Sequence, residues 1–227
     1  QAVMTLSGAL KDDSTEVREG AVRSLGESGD PRAVEALLEA LEDDEPRIRL
    51  RASRGLGEIG SIKAVDGLVA ALNDDDPQVR AESARSLGKI GDKTAVPSLI
   101  EHIEDEVSAV REAIGESLGA FESNEIVEPL IRLSGDQNSR VRGRAIRSLG
   151  KVGGEEIAAT VREALEDEEG EVRLMAAAAL VDNPNPEAVE PLIRLLNDPR
   201  ADIRRQAAES LGAIGDSRAL GPLLESL

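Results

Sequence analysis

Hydrophobic and polar positions along this chain recur every 31 residues. A valine or isoleucine followed by arginine stands at Val17-Arg18, Ile48-Arg49, Val79-Arg80, Val110-Arg111, Val141-Arg142, Val172-Arg173 and Ile203-Arg204. Eight positions after each Val or Ile comes a leucine, at Leu25, Leu56, Leu87, Leu118, Leu149, Leu180 and Leu211. A register kept through seven copies predicts one supersecondary unit stacked on copies of itself, not an ordinary globular core.

Within one unit, Val79, Ser83, Leu87 and Ile90 fall at spacings of four, four and three, a single stripe of an amphipathic helix. Gly88 and Gly91 are expected to close that helix. Val96, Leu99, Ile100 and Ile103 mark a second helix, and the acidic turn Glu104-Asp105-Glu106 precedes the next Val-Arg pair. Each unit therefore reads as two helices of about 10–12 residues. The leucine slot of the second helix runs Leu37, Leu68, Leu99, Leu130, Val161, Leu192 and Leu223. Running the period backwards places Val3, Leu6 and Leu10 in second-helix slots, so residues 1–11 read as the second helix of a truncated repeat. The expectation is an all-α, right-handed α-α superhelix of about seven hairpins, one array over residues 1–227, with eight second helices and seven first helices. A lone hairpin would not fold. Each buried Leu or Val contributes about 1.5–3 kcal/mol, against about 1–2 kcal/mol of backbone entropy per ordered residue.

Every turn also carries an Asp six residues before its Arg: Asp12/Arg18, Asp43/Arg49, Asp74/Arg80, Asp105/Arg111, Asp136/Arg142, Asp167/Arg173 and Asp198/Arg204. A pair present in every repeat predicts structure: the carboxylate satisfies N–H groups at the start of the first helix, and the arginine bridges neighbouring turns. Two repeats depart from the pattern. The fourth has Glu122-Ser123 in place of Gly-Asp and Ser134 in place of Leu; the sixth replaces its Leu-Gly-x-Ile-Gly turn with Val181-Asp182-Asn183-Pro184-Asn185-Pro186.

The segment VRAESARSLGKIGDKTAVPSLIEHIEDE, Val79–Glu106, resembles a HEAT repeat of the short variety named after phycobilisome lyases, and the likeness extends over essentially the whole chain. That resemblance implies a solenoid whose second helices line a concave surface where partners bind. It leaves function open, because the family includes scaffolds, bilin-attaching lyases, chemotaxis-associated proteins and iron-dependent hydroxylases.

Charge changes the picture next. The net charge is −18, and of the basic residues 22 are Arg and five Lys; Cys, Trp and Tyr are absent and Phe121 is the one aromatic residue other than histidine. Many carboxylates, few lysines and small apolar side chains predict adaptation to molar salt, where the Debye length falls from about 10 Å to about 3 Å. A cytoplasmic protein of a salt-adapted prokaryote is expected. No run of about 18 apolar residues occurs, so no membrane span is expected. The chain begins without Met and part-way through a repeat, which reads as a fragment of a longer protein.

Chemistry is thinly marked. His102 is the single histidine, and Glu101-His102 reverses the His-Glu order that the hydroxylase resemblance would require, so no metal is expected. No Ser-His-Asp or Cys-His set can be assembled, and no catalytic residue or cofactor is predicted. Two arginine triads at i, i+4, i+7, Arg47/Arg51/Arg54 and Arg140/Arg144/Arg147, form basic stripes that either contact an anionic partner or are solvated and paired by neighbours such as Glu58. Outward slots of the second helices hold Glu35, Glu39, Asp66, Glu101, Glu128, Arg132, Glu163, Glu190, Arg194 and Glu225, a mainly acidic face suited to a protein partner. Nucleic acid is not expected, since the net charge opposes phosphate and no aromatics interleave the basic residues. The expected function is a non-catalytic protein–protein interaction scaffold in a signalling or assembly complex. The alternative is a lyase-like enzyme acting on a tetrapyrrole or a protein side chain.

Overall fold

A computed structural model describes residues 2–226. Fifteen α-helices and no strand occur among them. The contacts divide the chain into two compact units, Gln1–Phe121 and Glu122–Leu227, and the division falls at the fourth-repeat departure, Glu122-Ser123. The first unit holds α1 (Ala2–Ala9), α2 (Thr15–Glu27), α3 (Val34–Ala40), α4 (Pro46–Ile59), α5 (Val65–Ala70), α6 (Pro77–Ile90), α7 (Val96–Glu101) and α8 (Ser108–Leu118). The second holds α9 (Val127–Ser134), α10 (Ser139–Val152), α11 (Glu155–Ala164), α12 (Gly170–Asp182), α13 (Val189–Leu195), α14 (Ala201–Ile214) and α15 (Leu220–Glu225). Even-numbered helices are the seven first helices and odd-numbered ones the eight second helices; the earliest is seen from Ala2, and Gln1 and Leu227 lie outside the described residues.

Helix lengths differ from the expected 10–12. First helices run 11–14 residues and second helices six to ten. The cause is local. Most second helices are reached through a three-residue 3-10 turn, such as Pro31–Ala33, Lys93–Ala95 and Ser217–Ala219. A short polar side chain at its head (Asp30, Asp92, Ser123, Asn185, Asp216) accepts the N–H two residues on. In the fifth repeat Gly154 stands where that Asp belongs, and α11 begins directly.

In each unit the first helices form one layer, α2 on α4 on α6 on α8 and α10 on α12 on α14. Each second helix from α1 to α13 packs on the first helix that follows it, and each such pair lies within one unit. The periodic positions fill the seam: Ile48, Leu56, Leu68, Val79, Leu87 and Leu99 have no exposed surface. This is an α-α solenoid.

The glycines after each leucine overturn one expectation. Gly91 does cap its helix, in the left-handed region at φ 72°. Gly88, however, sits inside α6, where an added Cβ would lie 2.9 Å from Ser117 Cα on α8. The same holds for Gly57 against Ser86, Gly26 against Gly55 and Gly150 against Ala179, so these glycines permit close approach of first helices instead of ending them. The serine on the facing side donates to a carbonyl of the preceding first helix, Ser86 to Ser53 (2.8 Å) and Ser117 to Ala84 (2.7 Å). Small residues on both sides of the buried leucine thus set the helix spacing.

Candidate interaction surface

The turns carry a ladder of ion pairs whose wiring differs from the sequence pairing. Arg18 binds Asp43, Arg49 binds Asp74 and Arg80 binds Asp105 in the first unit; Arg142 binds Asp167 and Arg173 binds Asp198 in the second. Each partner lies 25 residues ahead, in the next repeat. The Asp six residues before each Arg gives its backbone carbonyl instead: Arg49 Nη1 donates to Asp43 O at 2.8 Å and Arg80 Nη1 to Asp74 O at 2.9 Å. Arg111 and Arg204 make the same carbonyl contacts, with Asp105 and Asp198. The carboxylate also accepts the N–H two residues on, as Asp74 does from Asp76 and Asp136 from Asn138. These side chains are mostly buried. Burial raises the pKa of Asp43, Asp74, Asp105 and Asp167, but the guanidinium and the N–H donor outweigh it and hold each below the usual carboxylate range.

The first arginine triad is largely engaged. Arg51 binds Glu19 on α2, and Arg54 binds Glu82 on α6 at 3.0 Å, not the expected neighbour Glu58. Arg47 makes no ion pair among the described residues; with Arg51, Arg54, Glu19 and Leu50 it lines a shallow recess of about 270 Å³. In the second triad Arg140 and Arg147 are exposed, and Arg144 is half-buried. His102 Nδ1 donates to the Ser98 carbonyl at 2.8 Å, and Nε2 lies 3.3 Å from the Asn73 side-chain amide, which fixes the ring against the preceding turn.

The second helices present a different surface. Glu35, Glu39, Asp66 and Glu101 of the first unit are all exposed, and among the described residues only Glu39 is in an ion pair, with Lys11 at 3.6 Å. In the second unit Glu128, Arg132, Glu163, Glu190, Arg194 and Glu225 are exposed; Glu190 pairs with Arg218 and Arg194 with Glu166. That unit also holds a cleft of about 540 Å³ between the C-terminal ends of α10 and α12 and the start of α11. Sequence reasoning missed it, although the signal was there in the departures at Gly154 and Asn183.

The family of HEAT repeats matches residues 1–52, 34–119, 104–180 and 158–227. The chain belongs to the HEAT-repeat family. One of those matches runs across the boundary between the two units, so the HEAT periodicity continues where the contacts divide. No curated relative matches the chain. Among solved structures, YibA of Escherichia coli is 24% identical over 99% of this chain and 86% of that one, with a TM-score of 0.72. A chain from the complex of CpcE and CpcF of phycocyanin lyase from Nostoc sp. PCC7120 is 24% identical over 99% of this chain and 94% of that one, at 0.63. An engineered protein is 20% identical over 100% of this chain and 72% of that one, at 0.60. These likenesses show the HEAT fold. Among the described residues no helix is long and apolar enough to cross a membrane.

Proposed function

We propose that this HEAT-repeat chain is a non-catalytic scaffold that binds another protein through its second-helix layer. The observation that carries the reading is the contrast between two sets of charges. Ladder arginines and aspartates are held in fixed pairs between repeats, whereas Glu35, Asp66 and Glu101 stand exposed along one layer with no ion pair among the described residues. Unpaired exposed carboxylates in a row attract a partner with a basic surface and steer its approach. The setting is an assembly or signalling complex in the cytoplasm of a salt-adapted prokaryote, in keeping with the net charge of −18. At molar salt the contact would depend on shape and apolar area more than on charge.

Affinity capture from native lysate at native salt tests the proposal, with the wild-type chain beside a variant carrying Glu35→Gln, Glu39→Gln, Asp66→Asn and Glu101→Gln. A stoichiometric protein retained by the wild type and lost by the variant is expected; equal capture by both sinks the second-helix assignment. A second reading, lyase-like action on a tetrapyrrole, draws on the likeness to the CpcE–CpcF complex. It requires an absorbing ligand that co-purifies with the chain.

A further inference from the structure

The cleft in the second unit exists because three repeat positions break pattern together. Ile59, Ile90 and Ile214 hold one slot at the end of their first helices, and Asn183 holds it just past the end of α12. Its amide donates back to the Gly150 carbonyl instead of filling apolar space. Gly154, in place of the capping Asp, removes the 3-10 turn that covers this edge in most other repeats, and both Gly153 (φ 69°) and Gly154 (φ 111°) lie in the left-handed half of the map. Pro184 and Pro186 then carry the chain around the opening. Repeats that stack bring positions about one period apart together, so departures far apart in sequence meet in one cavity.

Its chemistry is two-sided. The floor is apolar, made by the buried Leu149, Ile157, Val161 and Leu180. The rim carries Glu155, Asp182 and Glu187, and among the described residues no lysine or arginine lines the cleft. Glu187 is bound by Arg162, while Glu155 and Asp182 make no ion pair among the described residues. An apolar floor beneath unpaired carboxylates suits a long side chain with an aliphatic stem and a cationic head. The volume of about 540 Å³ leaves room for the flanking backbone, within the usual range of a ligand pocket.

We propose that this cleft binds an arginine- or lysine-bearing segment of a partner polypeptide. The stem lies on Ile157 and Leu180, and the cation is held between Asp182 and Glu155. The inference rests on the scaffold reading and narrows its partner to one with an exposed basic segment.

The test is titration of the full chain with acetyl-Ala-Arg-Ala-amide, followed by amide shifts in proton–nitrogen correlation spectra, at the lowest KCl that keeps the chain fully helical. Saturable shifts at Gly150, Gly153, Gly154 and Asn183 are expected, with a dissociation constant of about millimolar. Asp182→Asn with Glu155→Gln should weaken binding by about tenfold, whereas the charge-matched control Glu27→Gln with Glu42→Gln, at exposed carboxylates of the first unit, should leave it unchanged. Asn183→Ile restores the isoleucine slot and should abolish binding, with a thermal melt confirming that the variant folds. The proposal is overturned if the same peptide with norleucine in place of arginine binds as well, or if the Glu27/Glu42 variant weakens binding equally. Absence of saturation up to about 20 mM also overturns it. A failed titration with retained lysate capture overturns the cleft and leaves the scaffold standing, because capture is read against the second-helix carboxylates.

Discussion

Arg49→Ala removes one rung of the ladder and tests whether the stack depends on it. The Arg49 guanidinium donates to Asp74 through Nε (2.6 Å) and Nη2 (2.7 Å), and through Nη1 to the carbonyls of Asp43 (2.8 Å) and Asp44 (3.2 Å). Its loss leaves the Asp74 carboxylate with one remaining donor, the Asp76 N–H, and strands the Asp43 carbonyl. Breaking a buried pair on one side costs about 3–5 kcal/mol. Here the two side chains keep 15% and 9% of their exposure, so water replaces part of the loss. The working figure is about 2–3 kcal/mol. Urea unfolding followed by helical circular dichroism measures it, urea being uncharged and leaving ion pairs unscreened. A double-mutant cycle with Asp74→Asn isolates the pair, because Asn keeps an acceptor for the Asp76 N–H; a coupling of about 1–2 kcal/mol is expected. Since this rung joins two adjacent hairpins, the unfolding slope should also fall if the array parts there. A loss below about 0.5 kcal/mol, or a cycle that closes with no coupling, would refute the ladder as a structural device.

Gly57→Ala should destabilise by about 1–3 kcal/mol despite the better helix propensity of alanine, because the new Cβ would sit 2.9 Å from Ser86 Cα. Gly212→Ala, whose Cβ would meet nothing within 4 Å, should instead stabilise; a shared sign for the two in thermal melts contradicts the close-approach account. Acid should unfold the chain through the ladder. Asp43, Asp74, Asp105 and Asp167 titrate lower when folded, so the unfolded chain takes up protons first, and their contribution, complete above the unfolded value of about 4, is lost as pH falls through the folded values. Melting temperatures should hold above about pH 5 and drop below pH 4. An Asp74→Asn variant that declines by the same amount as wild type would tell against this cause.

The hairpins were legible because burial follows the Val-Arg and leucine slots directly: Ile48, Val79 and Leu87 are fixed by their period alone, and all are inaccessible to solvent. Spacing within a repeat does not by itself name a partner that lies in the next repeat. Asp43 and Arg49 look paired at six residues, yet Asp43 accepts Arg18 and Arg49 reaches Asp74, because stacking sets a second neighbour rule that local spacing does not contain. Gly88 was mistaken for a cap for the same reason, its role being defined by Ser117, 29 residues on. A stacked array makes positions 25 to 33 residues apart into contacts, as the ladder and the Ser86–Ser53 bond both do. Applied to the departures, that rule puts Asn183 beside Gly150 and Gly154, and with them the cleft.

That rule also sorts the charge. Every ladder rung matches one arginine with one aspartate and so adds nothing to the net charge of −18. The excess negative charge therefore resides elsewhere, on exposed positions such as Glu35, Asp66 and Glu101 and the outer turn residues Asp44 and Asp75. Added salt screens those exposed groups far more than it screens the mostly buried rungs. Raising KCl should thus relieve repulsion across the surface while leaving the ladder intact, and helical circular dichroism should strengthen towards molar KCl. If the Arg49→Ala penalty instead vanished at 1 M KCl, the rungs would be behaving as surface pairs, and the division between structural and interacting charge on which the scaffold reading depends would be lost.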